Sequence, residues 1–252
     1  MPTEPRFSIV TCTRNSAATL DDTLASLRAQ TCQDFEHIFV DGGSTDGTLD
    51  MLAAYPGNKR ILRDVGGGIS RAMNQGIEAA RGAIVAHLHA DDYYATPDVL
   101  ERVGRCFDSS GAGWVVGRIQ VLHEGRLLPQ YPQRRFSYRA YAAKPRQHPH
   151  PAVFVRREWF ARAGLFDTSL RYAMDIDLWL RLAALAPPAM LDDTLAIFRE
   201  HAGSVSSSNK LQARREEFAV RRRYLARAPL AFAVYCLRYL KRMHALRRTT
   251  TA

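Results

Sequence analysis

Residues 35–48 read FEHIFVDGGSTDGT. An apolar, β-favouring run, Phe35–Val40, stops at Asp41 and gives way to Gly42, Gly43, Ser44, Thr45 and Asp46. A strand-like run followed at once by turn residues and a helical pattern reads as strand, turn and helix start in one stretch. The glycines permit backbone conformations closed to other residues, and Asp46 is placed to cap the next helix. The stretch is not a Walker loop, because it lacks the Gly-Lys-Ser/Thr ending.

The same unit recurs on both sides. Phe7–Cys12 is a short β-rich run, and Leu20, Leu24 and Leu27 stand at helical spacing within Leu20–Gln30, with Thr19 as N-cap. Asp46–Tyr55 reads as a helix stopped by Pro56, Arg60–Val65 as a strand, and Ile69–Arg81 as a helix on the spacing of Ile69, Met73, Ile77 and Ala80. Ala83–His89 is the next strand and Pro97–Phe107 the next helix. This alternation predicts an α/β domain, Rossmann-like, with a mostly parallel central sheet and helices on both faces. Ligands of such sheets sit at the carboxyl ends of the strands. Three polar clusters fall there: Thr11–Asn15, Asp41–Asp46 and Asp91-Asp92.

After residue 113 the pattern changes. Trp114–Leu122 and Arg126–Tyr131 read as an antiparallel pair, and residues 132–150, rich in Pro, Arg, Tyr and His, as a loop over a site. Ala152–Arg156 and Thr194–Arg199 are strands. Asp175–Leu185 is an amphipathic helix with Leu178, Leu182 and Leu185 on its buried face, stopped by Pro187-Pro188. From residue 208 the chain is helical and basic.

Composition narrows the function classes. The chain of 252 residues is 46% hydrophobic and 24% charged, ordinary values for a globular protein. No apolar run reaches a membrane span of ~20 residues, and no secretory signal is visible. Four scattered cysteines without CxxC spacing point to a reduced, cytoplasmic chain and give no zinc signature. The basic excess is local. From Lys210 onward twelve Lys and Arg face only Glu216 and Glu217, which accounts for the whole net charge of +10. A nucleic-acid groove would spread basic and stacking residues over the folded body, which is instead neutral.

Two adjacent carboxylates such as Asp91 and Asp92 resist burial unless a cation sits near them. The alternative, that they cap the following helix, competes with Thr96 before Pro97, the better cap.

In this order the motifs FSIVTCTRN, SLRAQTCQDFEHIFVDGGSTDGT, DVGGGISRAMNQGIEAARG and HLHADDYY resemble the inverting family 2 glycosyltransferases of the GT-A fold, over roughly residues 6–205. The resemblance implies a GT-A domain over residues 1–207 followed by a basic helical extension, 208–252. It implies transfer of a sugar from a nucleoside diphosphate donor, UDP- or dTDP-linked, to a hydroxyl acceptor such as a lipid-linked or cell-surface glycan precursor. By the same resemblance Asp92 and Asp91 hold Mg²⁺ or Mn²⁺, with Asp91 acting through water or on the ribose and His201 as a third ligand. Asp41 reads the nucleobase, and Thr11, Arg14 and Asn15 line the nucleotide pocket. Gly68, Arg71 and Asn74 lie near the donor, with Arg71 on a phosphate. Asp175 is the general base, although the acid that usually precedes it is here Met174. On spacing alone Asp175 is equally an N-cap. His148 and His150 stand in a Pro-rich stretch that either folds over the acceptor or lies exposed.

In the tail, Phe232, Cys236, Tyr239, Met243 and Leu246 share one stripe, with Arg238, Lys241 and Arg248 pointing away. Such a helix suits an anionic membrane surface at the inner face of the cell membrane, or else packs on the core or on a second copy. A nucleotide-sugar binder without turnover is the alternative function, on account of Met174. A basic nucleic-acid-binding protein is a further one, opposed by the neutral body.

Overall fold

The computed structural model describes residues 4–130, 135–143, 149–200 and 209–250. Its centre is β1 (Phe7–Thr13), which pairs in parallel with β2 (Phe35–Asp41) on one side and with β4 (Ile84–His87) on the other. β3 (Lys59–Leu62) extends the parallel set beyond β2. Both faces of this set are buried, so its strands read as continuous apolar runs rather than alternating ones. Successive β1 side chains still part company: Phe7 and Ile9 enter one core cluster, Val10 and Cys12 another.

The flanking helices supply the covers. α1 (Leu20–Arg28) buries Leu20, Leu24 and Leu27, and its acids Asp21 and Asp22 complement the positive N-terminal end. α2 (Thr48–Ala54) ends before Pro56, as expected. α3 (Ile69–Ala79) lays Ala72, Met73 and Ile77 on the Val10 face, and α4 (Val99–Ser110) covers the opposite one. Thr19 takes the N-cap position of α1 as expected, but its side chain makes no capping bond; its hydroxyl donates to the Ala90 carbonyl at 2.7 Å and ties the helix to the loop after β4. Thr96 likewise caps nothing and bonds Asp98 at 2.6 Å.

The rest of the sheet turns mixed. Its order is β3-β2-β1-β4-β8-β6-β9-β5, with β7 on β6. β5 is Tyr93–Tyr94, β6 Trp114–His123, β7 Arg126–Leu127, β8 Val153–Arg156 and β9 Ala189–Glu200. The β6–β7 pair is antiparallel as expected, but β7 is only two residues long, and β9 begins just after Pro187-Pro188. Part of the stretch read as loop, Tyr138–Ala143, is helical (α5), and α6 (Arg157–Ala163) follows β8.

α7 (Met174–Leu185) departs from a one-faced helix. Ile176, Leu178, Leu180 and Leu182 are all fully buried, while Leu185 is at the surface. The cause is α8 (Lys210–Arg223), whose Val220 joins the same core cluster. α9 (Pro229–Thr250) closes over α8 and α5. The tail is therefore docked on the body. Arg221, 2% exposed, donates to the Tyr141 carbonyl at 2.6 Å and to Glu217 at 3.0 Å, and lies over the Tyr235 ring.

The expected stripe takes the packed one of its alternatives. Phe232 and Tyr239 pack on Phe218, with ring centroids 5.6 and 4.6 Å away, and Met243 is buried, so that face looks inward. Arg238 does not point away but donates to the Ala143 carbonyl at 2.6 Å. The outward face carries Leu230, Val234, Leu237 and Leu240, exposed by 84%, 41%, 70% and 64%. Among the described residues no helix is long and apolar enough to cross a membrane.

Gly82, where α3 returns to β4, leaves no room for a side chain. A Cβ there would stand 2.6 Å from the backbone of Phe7 and Ser8. Gly82→Ala is expected to destabilise the fold by roughly 2 kcal/mol or more, because backbone rather than a flexible side chain must yield. Urea unfolding of the variant against the parent measures it.

Candidate active site

The carboxyl ends of β1, β2 and β3, with the start of α3, enclose a cavity of ≈ 600 Å³. Arg14, Gly42, the Gly66–Gly68 run, Ser70 and Arg171 stand in its wall. Gly67 and Gly68 adopt φ of +93° and +90°, which only glycine takes without strain, and let the chain turn sharply into α3. No side chain caps α3, so its first N–H groups and the positive end of its dipole are left for an anion. Arg14 and Arg171 add two cations to that wall. Arg71 is exposed beside it, its chain crossing Gly67.

Several residues expected in the pocket are spent on building it. Asp41 is fully buried, and four donors fill its oxygens: the amides of Gly43 and Ser44 at 3.0 and 2.8 Å, and the hydroxyls of Ser44 and Thr13 at 2.5 and 2.8 Å. Burial pushes its carboxyl up, but these bonds outweigh it and hold the group below its usual range. With its acceptor sites occupied, Asp41 shapes the loop, and the neighbouring Gly42 is what faces the cavity. Thr11 is equally enclosed between the His37 ring and the Leu88 carbonyl, at 2.7 and 2.6 Å. Asn15, at φ 52°, accepts from the Thr45 amide at 2.8 Å and so braces β1 against the loop after β2. Asp46 accepts from the Thr48 amide at the start of α2, and from the Ala17 amide. Asn74 spends its amide on Phe166, donating to the carbonyl at 2.8 Å and accepting from the N–H at 2.9 Å. It holds the segment before α7.

The acidic pair follows β4 at the same sheet edge. Asp92 is 1% exposed. One of its oxygens accepts from the Arg199 amide at 3.0 Å, an alignment set by the antiparallel pairing of β5 with β9. The other oxygen, Oδ2, is enclosed and without a partner. Burial, then the charge of Asp91, holds the Asp92 carboxyl well above the ordinary range, against the Arg199 amide and guanidinium. An orphaned oxygen on a buried carboxylate beside a second carboxylate is the donor set of a hard divalent cation that completes its shell with phosphate and water. Among the described residues no cluster of three or more His, Cys, Asp or Glu side chains is arranged around a metal position. His201 lies outside the described residues, as does His148. Next to the pair, His89 and His150 face each other with ring centroids 4.3 Å apart. Burial keeps both imidazoles neutral, and three of their ring nitrogens are enclosed without partners.

Asp175 lies in the first turn of α7 and is 8% exposed. It is not the N-cap; Ala173 takes that position and Asp175 bonds its neighbour's amide, Ile176, at 2.7 Å. Burial pushes its carboxyl up to about 7; the Ile176 amide and Arg221 oppose the rise and Glu217 adds to it. Asp177 is bound by Arg181 at 2.9 Å and by the Tyr224 hydroxyl at 2.8 Å, a structural clasp between α7 and α8. Met174 sits in the main core cluster. The segment Thr168–Arg171 lines the cavity and runs directly into Asp175. Arg171 carries no motif that marks it; its distance of four residues from Asp175 is the one usable signal.

Comparison with known proteins agrees with this architecture. The family model "Glycosyl transferase family 2" matches residues 8–166. A PGL/p-HBAD biosynthesis glycosyltransferase of Mycobacterium tuberculosis is 33% identical over 193 residues, covering 74% of this chain and 72% of the relative. An uncharacterized glycosyltransferase of the same species is 30% identical, covering 79% of this chain and 76% of the relative. Among solved structures, S. aureus TarS 1-349 in complex with UDP-GlcNAc superposes with a TM-score of 0.77 at 19% identity, over 94% of this chain and 73% of that one. The mannosyltransferase PcManGT of Pyrobaculum calidifontis, in complex with GDP-Man and Mn²⁺, gives 0.67 at 18% identity, over 97% and 76%. The motif order, the sheet-edge cavity and the family match converge: this chain belongs to glycosyl transferase family 2.

Proposed function

We propose that this chain is an inverting glycosyltransferase that moves a sugar from a UDP- or dTDP-linked donor to a hydroxyl of a lipid-linked or cell-surface glycan precursor. One observation carries the reading. The segment that lines the cavity at Leu170 and Arg171 continues into Asp175, a buried carboxyl held near neutrality. A base tuned to that range is ionised near pH 7 to 8 and still basic enough to take a proton from an attacking alcohol. The complexes of TarS with UDP-GlcNAc and of PcManGT with GDP-Man support a nucleotide-sugar donor for this chain as well.

The acceptor hydroxyl gives its proton to Asp175 as its oxygen bonds the anomeric carbon. The bond from that carbon to the diphosphate oxygen breaks, and the nucleoside diphosphate leaves with the electron pair. Attack from the face opposite the leaving group inverts the anomeric configuration. Arg14, Arg171 and the open N-terminus of α3 favour the departing anion. Mg²⁺ or Mn²⁺, when bound, neutralises diphosphate charge. Asp92, through its unpartnered Oδ2, and Asp91 are the residues that would hold it. A nucleotide-sugar binder without turnover is the second reading, favoured by the burial of Met174 in the core beside Asp175.

Peripheral contact of residues 208–252 with the inner face of the cell membrane belongs to the same proposal. Its support is the outward Leu230, Val234, Leu237 and Leu240 face in a segment with a large basic excess. Both acids of that segment are engaged inward: Glu217 by Arg221, Arg214 and Arg242, and Glu216 by backbone amides.

Four outcomes are expected. Asp175→Asn keeps donor affinity and abolishes transfer. In the parent, kcat rises about tenfold per pH unit below the Asp175 pKa and levels above it, because the ionised form is the active one. Since burial raises that pKa, ionisation opposes folding as pH climbs through about 7, so Asp175→Asn at pH 8 melts no lower than the parent. Normal turnover in the variant contradicts the base assignment, and donor binding without turnover in the parent favours the second reading. For the membrane contact, the parent is expected to float with vesicles of equal phosphatidylglycerol and phosphatidylcholine, and the L230S/L237S/L240S variant to stay behind; equal flotation of the two removes the proposal.

A further inference from the structure

Glu216 stands 41 residues beyond Asp175 in sequence yet reaches the approach to α7. A single oxygen of its carboxylate, Oε1, accepts from three consecutive backbone amides: Arg171 at 2.9 Å, Tyr172 at 2.6 Å and Ala173 at 2.7 Å. These are the last residues before the first turn that carries Asp175. Charge-assisted bonds to a carboxylate are roughly twice as strong as neutral ones, and the anion also meets the positive end of the α7 dipole.

The segment is pinned separately at its donor end. Asn74 brackets Phe166 with two bonds, and Ser70 donates to the Leu170 carbonyl at 2.8 Å. Both come from α3, whose start forms the cavity wall. Residues 166–173 are thus a strap with two independent anchors. α3 sets the part that faces the donor, and Glu216 of α8 sets the part that delivers Asp175. The acids of the first turn are engaged elsewhere, Asp175 with the Ile176 amide and Asp177 with Arg181 and the Tyr224 hydroxyl, so among the described residues Glu216 is the carboxylate these three amides meet.

We propose that Glu216 is a positioning residue for glycosyl transfer: it fixes Asp175 against the acceptor through the backbone of Arg171–Ala173 without touching substrate. The basic tail is then part of the catalytic apparatus. This inference rests on the assignment of Asp175 as base.

The test compares E216A, E216D, E216Q and D175N as full-length proteins, with kcat and donor dissociation constant measured at a temperature below each melting midpoint. E216A is expected to lower kcat at least tenfold while donor affinity stays within threefold, because the α3 anchors are intact. E216Q keeps an acceptor oxygen and is expected to recover at least a third of parental kcat. E216D, one methylene short of the three amides, falls in the same direction as E216A and serves if E216A does not fold. Parental kcat in E216A or E216D, whatever the change in melting temperature, overturns the proposal and leaves Glu216 a purely structural cap. D175N separates the two claims. An inactive D175N with a fully active E216A rejects the role of Glu216 alone, and an active D175N rejects the base itself.

Discussion

The parallel pairing of β1 with both β2 and β4 is the constraint on which the rest depends. In register from Phe7 opposite Phe35 and Ile84, it places the ends of three strands at one edge of the sheet. Thr13–Arg14, Gly42–Ser44 and Asp91–Asp92 therefore emerge together, though they are separated by tens of residues in sequence. Burying the sheet on both faces leaves this edge as the place where backbone amides and polar side chains remain for a ligand. The α3 start adds an N-terminal dipole there, and Gly67 and Gly68 let the chain come close.

The edge alone supplies a cradle for a charged ligand. In the function proposed above, the chemistry comes from a second layer. The strap at residues 166–173 lines the cavity at Thr168–Arg171 and leads into the helix that bears Asp175, and it is held by α3 at one end and by α8 at the other. The cores are continuous across that junction: Trp114 stacks near Trp179 at 6.0 Å, and Val220 of α8 joins the cluster that contains Val10 of β1. Asp175 owes its raised pKa to the same packing, since burial is the largest cause. A carboxyl enclosed between α7 and α8 is tuned by the fold that delivers it.

Much of this was legible in the sequence because its causes are local. Strand–helix alternation, the glycine turns and the acidic pair each depend on neighbours within a few residues. Asp41 shows the limit even there. A strand-end acid looks available to a ligand, yet in D-G-G-S the loop's own amides and the Ser44 hydroxyl fold back onto the carboxylate. The next residue, without a side chain, faces the cavity. Thr11 and Asn74 show the same limit, because position near a pocket does not say which way a polar side chain finds its partner. The tail was harder. α9 has two apolar faces, and periodicity selects a stripe without saying whether protein covers it. The aromatic face meets Phe218, and the leucine face is left outside. Glu216 had no local signal at all, since a glutamate in an Arg-rich helix looks like a solvated residue until α8 is laid against α7.

The central claim is that one sheet edge holds the leaving group while the strap presents a base from the other side of the sugar. Crystals of the full chain soaked with Mn²⁺ and a non-hydrolysable UDP-sugar test it most directly, with the metal located by its anomalous scattering. The account predicts a peak bonded to Asp92 Oδ2, the nucleotide in the cavity beside Gly42, and the Asp175 carboxylate facing the anomeric carbon opposite the diphosphate. A metal elsewhere, or Asp175 on the same side as the diphosphate, would contradict it.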